Sequence, residues 1–281
     1  MSLQQGQYRQ KGRVVVITCA SSGIGKALAE QLAARGDCVY ALARRLQDET
    51  GQTGQGGFIR TMTLDVTDAV AVRMVIGLII DLEGRIDVLI QAAGFGLAGA
   101  VEALAPQETA AQMATNYLGV CNMLPPGLAQ MREQGCGLIV QLGSVAGFLP
   151  IPFQACYSAS KAAVAALMQA LANEVRPYGI RCLLVQPGDT QTGFTAARII
   201  SKDNDLLPYA ARCRRSVARM AADEQNGMPA EKMARLILRR IDRRRPPQIY
   251  TPGVIYKVAA LLNRLLPRRW VNAILYRMYA S

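Results

Sequence analysis

The sequence predicts an α/β domain: a single doubly wound parallel sheet with helices on both faces, followed by a C-terminal helical extension. Three observations carry this. Short β-branched and apolar runs alternate with longer helical patterns along most of the 281 residues. The strand runs are apolar at nearly every position, which suits strands covered on both faces. No internal repeat and no linker-like segment divides the chain, so residues 1–253 read as one domain and 254–281 as an extension.

The elements follow in order. Val14–Thr18 (VVVIT) is a buried strand, and Gly25–Arg35 is a helix whose apolar face includes Ala27, Leu28, Leu32 and Ala33. Cys38–Ala43 is the second strand, followed by a Gly/Gln/Thr-rich loop from Leu46 to Gly57. Ile59–Leu64 is a strand, Val70–Leu82 a helix and Ile86–Ile90 the fourth strand. A helical stretch over Pro106–Glu133 is expected to break at Pro125-Pro126, because proline lacks the amide donor and clashes with the preceding turn. Leu138–Leu142 is the fifth strand, Tyr157–Val175 a helix and Arg181–Gln186 the sixth strand. A helix near Ala230–Arg243 and a short strand at Gln248–Thr251 close the domain. The polar, basic segment between the sixth strand and that helix, about 189–230, reads as an insertion at the ligand-binding edge of the sheet.

Composition excludes several chemistries. The chain is 51% hydrophobic, 19% charged and contains no histidine, so nucleophile–histidine systems and His-ligated metals are ruled out. No metal is expected. The seven cysteines are scattered, the closest pair 15 apart, which fits small buried hydrophobes in a reducing compartment better than a zinc site. The opening residues are polar and no apolar run approaches the ~18 of a membrane span, so a cytoplasmic or peripheral protein is expected. Net charge is +12, but eight of those cations lie after Asp242, where no Asp or Glu occurs. The body is only mildly basic, so no nucleic-acid partner is expected.

The first strand runs into Cys19-Ala20-Ser21-Ser22-Gly23-Ile24-Gly25 and then a helix. Glycines there let the backbone approach a pyrophosphate, which the helix N-terminus can bind; a tight turn alone would use the same residues. The second strand ends in Ala43-Arg44-Arg45, with no acidic residue to hold a ribose diol. Two guanidinium groups at that place favour a 2′-phosphate, and so NADP(H), over a merely solvated basic loop. Tyr157 and Lys161 are spaced i,i+4 on one helical face, where an ammonium favours the phenolate. Ser144 ends the fifth strand, at the same sheet edge, and its hydroxyl can donate to a developing alkoxide.

Together these residues resemble the short-chain dehydrogenase/reductase family, a Rossmann-type fold. The resemblance runs from Arg13 to Phe194 through SSGIG, LDVTD at 64–68, the Asn116 region, GSVAG, YSASK at 157–161 and QPGDTQT at 186–192. GFGLAG and the stretch GSVAGFLPIPFQACYSASKAA are most similar to the hydroxysteroid dehydrogenase-like and retinol dehydrogenase-like branch. The resemblance implies a catalytic set of Asn116, Ser144, Tyr157 and Lys161. It implies a cofactor set of Thr18, Ser21, Ser22, Gly23, Ile24 and Gly25 at the phosphates, Arg44 and Arg45 at the 2′-phosphate, and Asp65 and Val66 at the adenine. Ala92, Ala93 and Gly94 belong to it as well, as do Pro187, Gly188, Thr190 and Thr192 around the nicotinamide, beside Tyr157 and Lys161. Cys19 stands where the family pattern has a glycine, and Gln91-Ala92 where it has two asparagines.

The implied activity is NADP(H)-dependent interconversion of an alcohol and a ketone or aldehyde by direct hydride transfer on an apolar substrate. The expected assembly is a homodimer or homotetramer. A 3-oxoacyl thioester reductase, with Arg198, Lys202, Arg212, Arg214, Arg215 and Arg219 docking an acidic carrier, and an idle NADP sensor are the alternatives. Val254–Tyr279 should form two amphipathic helices parted at Pro267, whose apolar face meets the domain body, another subunit or an anionic membrane.

Overall fold

The structure, a computed structural model, describes residues 12–53, 56–201 and 208–281. Its elements are β1 (Val14–Thr18), α1 (Gly23–Ala33), β2 (Cys38–Ala43), β3 (Thr50–Gln52), β4 (Phe58–Thr63), α2 (Ala69–Glu83), β5 (Val88–Gln91) and β6 (Leu97–Ala98). Then come α3 (Pro106–Met113), α4 (Gly119–Gln134), β7 (Gly137–Leu142), α5 (Ala155–Glu174), β8 (Ile180–Val185), β9 (Thr190–Gln191) and β10 (Ile199–Ile200). The chain finishes with α6 (Ala210–Gln225), β11 (Met228–Pro229), α7 (Ala230–Ile241), β12 (Ile249–Tyr250), α8 (Val254–Leu265) and α9 (Arg268–Tyr279).

One eight-stranded sheet, in the order β12-β8-β7-β5-β1-β2-β4-β3, organises the domain. All its pairings are parallel except β3 with β4. Every residue of β1, β2 and β7 is buried, as strands covered on both faces require. The two-residue alternation of a strand divides them between two cores. Val14 and Val16 of β1 join α2, α4 and α5 through Ile76, Met123 and Val164. Val15 and Ile17 join α1 and α7 through Leu28, Leu32 and Ile237. β1 pairs with β2 on one side and β5 on the other, so the winding reverses between β1 and β5. A crevice opens there beyond the strand carboxyl ends.

Local chemistry fixes the element ends. Asp68 accepts the amides of Val70 and Ala71, both at 2.9 Å, and starts α2; Gly84, at φ 71°, ends it. Arg13 grips Asp37 at 2.9 Å and Asp242 at 3.1 Å, tying the start of β1 to the end of α7.

Two expectations are corrected. The loop predicted over 46–57 contains β3, an exposed edge strand antiparallel to β4. Its residues, Thr-Gly-Gln, carry no apolar face, so periodicity had nothing to register. Pro125 and Pro126 do not break their helix; both lie inside α4. Pro125 is on the exposed side, where a carbonyl that loses its donor can turn to water. The irregularity comes earlier, as a π-helical turn at Ala114–Leu118 that carries Asn116. The polar segment after β8 contains β9, β10, β11 and α6, and α6 buries Cys213, Ser216 and Met220. Among the described residues no helix is long and apolar enough to cross a membrane.

Candidate active site

A cleft of about 370 Å³ lies at the carboxyl ends of β1, β2, β5, β7 and β8. Its floor starts at the β1–α1 turn. Ser22 caps α1 in extended conformation without any side-chain hydrogen bond to the first amides, so the start of that helix is open toward the cleft. Gly25 must be glycine for contact reasons: a Cβ there would sit 2.4 Å from the Cys19 carbonyl oxygen. Gly23, at φ 56°, is left-handed, and so is Cys19 at the same φ. The turn is thus a cradle that side chains do not fill, and it fits a pyrophosphate.

Cys19 is the strained member, since a β-carbon in the left-handed region costs about 1–2 kcal/mol. Its thiol is pushed up by burial, with Arg44, Lys161 and a hydrogen bond from the Gly94 amide acting against this. Cys19→Gly should relieve the strain and raise Tm by about 2–4 °C for each kcal/mol recovered. Affinity for NADPH should be unchanged or tighter. A marked loss in a fluorescence titration would show that the thiol–Gly94 bond shapes the turn.

At the end of β2, Arg44 and Arg45 are exposed, line the cleft and take part in no ion pair among the described residues. No carboxylate stands at that strand end. Asp65 and Val66 form the opposite rim, with Asp65 accepting from the Thr67 amide at 2.9 Å and its hydroxyl at 2.8 Å.

Thr18 lies behind the wall. It is fully buried, and its hydroxyl accepts the amides of Ala92 (3.0 Å) and Ala93 (3.2 Å). It braces β1 against the end of β5 and, alone among the expected cofactor residues, is not part of the cleft lining. The brace stands where Gln91-Ala92 departs from the family pattern, while the Gln91 side-chain amide is buried without a partner.

The catalytic candidates converge from three elements. Ser144 lies two residues beyond β7 and caps a single 3-10 turn, accepting the Ala146 amide at 3.1 Å. That turn packs on α5 because residue 147 is glycine; a Cβ there would lie 3.0 Å from the Lys161 backbone. Tyr157, in the first turn of α5, lies in the same cleft as Ser144, and its ring lies 5.5 Å from that of Phe194. One turn on, Lys161 is buried; its Nζ donates to the Leu142 carbonyl at 3.0 Å and lies 5.8 Å from the centre of the Tyr157 ring.

Asn116 contributes from beside the cleft. Its Oδ1 accepts the Phe95 amide at 3.1 Å, and its Nδ2 donates to the Phe95 carbonyl (3.1 Å) and to Ser160 Oγ (3.0 Å). It bonds to Lys161 in no direct way, but a Cβ on Gly94 would lie 3.2 Å from its Oδ1 and 3.4 Å from Lys161 Nζ, so the three crowd together. Pro187, Gly188, Thr190 and Thr192 close the far side of the cleft.

Burial pushes the Tyr157 phenol up to about 12; Glu224 adds to this, while Ser144 and Arg198 oppose it. Burial also lowers the Lys161 ammonium to about 8. Ser144 acts on the phenol in the same direction as the ammonium of Lys161, whose Nζ lies 5.8 Å from the centre of the ring, is expected to. Tyr157 therefore holds its proton at neutral pH and is set to donate it. Loss of that proton prepares the reverse reaction. Reduction should be flat from about pH 6 to 8, and oxidation should rise by up to about tenfold per pH unit over 7–9, following the phenolate fraction. Initial rates in both directions check this; oxidation that falls over that range contradicts it.

The sequence did not point to several residues of the cleft. Phe95, Ile151, Phe194 and Ala197 form an apolar wall near Tyr157. Glu224, from α6, lines the cleft but is engaged by buried Arg198 and by Thr195 Oγ1 at 2.5 Å. Asp189 is held by Tyr256 from α8, whose hydroxyl donates to Asp189 Oδ2 at 2.5 Å and accepts its amide at 2.9 Å. Phe95, Ile151 and Asp189 lie inside runs that carry the resemblance and Phe194 just beyond one, but nothing in those runs marks these side chains as lining the cleft.

Comparisons with known proteins identify the family and the fold. The short chain dehydrogenase family model matches residues 13–202. A 3-ketodihydrosphingosine reductase of Bacteroides thetaiotaomicron is 40% identical over 236 residues, 84% of this chain and 86% of that one. Human 17-beta-hydroxysteroid dehydrogenase type 1 is 36% identical over 69% of this chain and 61% of its own length, in line with the hydroxysteroid-like resemblance. Among solved structures, a short-chain dehydrogenase from Streptomyces avermitilis superposes with a TM-score of 0.79 at 31% identity, covering 95% of this chain and 96% of that one. A Burkholderia cenocepacia short chain dehydrogenase in complex with NADP shares the fold at 23% identity and a TM-score of 0.72, over 94% and 97% of the two chains.

Proposed function

The chain belongs to the short-chain dehydrogenase/reductase family, and from that premise we propose that it is an NADPH-dependent reductase of an apolar, long-chain ketone such as 3-ketodihydrosphingosine. The observation that carries the reaction is the convergence of Ser144, Tyr157 and Lys161 at the inner end of a cleft that starts at an uncapped helix N-terminus. The substrate class is supported by the 40% identity to a 3-ketodihydrosphingosine reductase and by the apolar wall of Phe95, Ile151, Phe194 and Ala197.

When bound, the dinucleotide supplies the hydride. The amides at the start of α1 would hold its pyrophosphate, and Arg44 with Arg45 its 2′-phosphate. The Ser144 hydroxyl donates to the substrate carbonyl oxygen, and Tyr157 gives that oxygen its phenolic proton as charge develops. Lys161, which lines the cleft one turn on from Tyr157, would hold the nicotinamide ribose. Asn116 fixes the Phe95 backbone and ties it to Ser160 of α5.

The carrier-docking alternative draws on a basic segment that the fold partly consumes. Arg198 is buried in its pair with Glu224, Arg219 pairs with Asp223 at 3.0 Å, and Lys202 lies outside the described residues. The test is NADPH consumption at 340 nm with 3-ketodihydrosphingosine, a steroid ketone and a 3-oxoacyl thioester. Preferred turnover of the long-chain ketone is expected. Turnover of the thioester alone would replace the substrate assignment, and NADPH binding without any turnover would favour a sensor. Assembly as a homodimer or homotetramer through α4 and α5 is part of this reading.

A further inference from the structure

The extension has its apolar side turned outward. On α8, Val254, Ile255, Val258, Leu261, Leu262 and Leu265 fall within one third of the helix circumference, and each is 45–78% exposed. No residue of α8 is fully buried, and its inward side is the small or polar one, Tyr256, Ala259, Ala260 and Asn263. After Pro267, α9 buries Val271 and Leu275, but Trp270, Ile274 and Met278, spaced i, i+4, i+8, remain about half exposed. A helix that faces only water carries the reverse pattern. Contiguous apolar surface of this kind marks an interaction site.

The charges indicate the partner. Lys257, Arg264, Arg268, Arg269 and Arg277 are exposed around these rows, and no acidic side chain occurs after Asp242. A two-fold contact through the same face would set these cations against their own copies. Neither helix is long enough to span a bilayer. Apolar rows in the plane of a surface, flanked by cations and by interfacial Trp270 and Tyr276, match the chemistry of an anionic lipid headgroup layer. We propose that α8 and α9 lie in the plane of an anionic membrane and hold the enzyme on it.

The same helix touches the active-site cleft. The Tyr256 ring covers Gly188, where a Cβ would lie 2.1 Å from the ring, and its hydroxyl holds Asp189. Docking therefore leaves only the thickness of α8 between the Gly188–Asp189 wall of the cleft and the lipid. Trp270 is the chain's single tryptophan and is 55% exposed, so its emission reports on the extension alone.

The experiment uses the full chain with vesicles of phosphatidylcholine, alone or with 30% phosphatidylglycerol, and reads co-sedimentation and Trp270 emission. Expected is a blue shift with co-sedimentation on the anionic vesicles, at least about tenfold weaker on neutral ones or in 0.5 M NaCl. Leu261→Glu with Leu265→Glu, both exposed positions, should lower binding by at least about tenfold with unchanged circular dichroism and Tm. If that pair unfolds the extension, Arg268→Gln with Arg269→Gln serves instead and should weaken anionic binding about tenfold. No binding by the full chain at low salt, or undiminished binding by the variant used, overturns the proposal. So does a glutamate variant that drops to a smaller oligomer in sedimentation without lipid, since the face would then be a subunit contact. No readout needs substrate or cofactor, so failure here is separate from failure of the assigned reaction.

Discussion

Tyr157→Phe should abolish turnover, by at least about two to four decades in kcat, while NADPH still binds. The phenol is the proton donor nearest the substrate end of the cleft, and burial keeps it protonated, up to about 12. Phenylalanine keeps the ring and its contact with Phe194, so folding and the cleft wall should survive. Ser144 would keep the Ala146 amide. Steady-state NADPH oxidation, with a parallel fluorescence titration of NADPH, separates the two effects. Most of the activity surviving in the variant would remove Tyr157 from the mechanism.

Arg44→Ala should weaken NADPH by one to two decades and leave NADH nearly unchanged. A charge-assisted hydrogen bond to the 2′-phosphate is worth about 1.5–3 kcal/mol, and Arg45 retains part of the clamp. The side chain is exposed at the end of β2 and has no carboxylate to release, so the substitution should not disturb the fold. Kd for both cofactors, measured in wild type and variant, checks the prediction. Equal weakening of the two would mean that Arg44 does not read the phosphate.

How far the site was legible follows from how it is built. The β1–α1 turn, Ser144, Tyr157 and Lys161 each lie in a contiguous run at one strand end, and the parallel sheet brings strand ends together by construction. Residues that arrive by tertiary packing carried no such signal. Glu224 comes from α6 and Tyr256 from α8, both far along the chain from the residues they meet. Thr18 shows the converse: its place in a motif suggested the cofactor, but its hydroxyl is taken up by two amides of the β5 end. The π-helical turn around Asn116 was misplaced to the prolines because proline is a strong local signal, whereas the turn answers to contacts with Phe95 and Ser160. The outward apolar face of α8 was visible as a pattern, and only its placement on the domain shows which way it points.

The central claim is direct hydride transfer from NADPH to a ketone carbon within this cleft. The most direct measurement is mass spectrometry of the alcohol formed from 3-ketodihydrosphingosine with NADPH deuterated at C4, prepared separately in each of its two stereochemical forms. One deuterium is expected on the carbinol carbon from one form, none from the other, and no labelled product with Tyr157→Phe. Alcohol formed without deuterium from either form, or labelled product at full rate from the Tyr157→Phe enzyme, would contradict it.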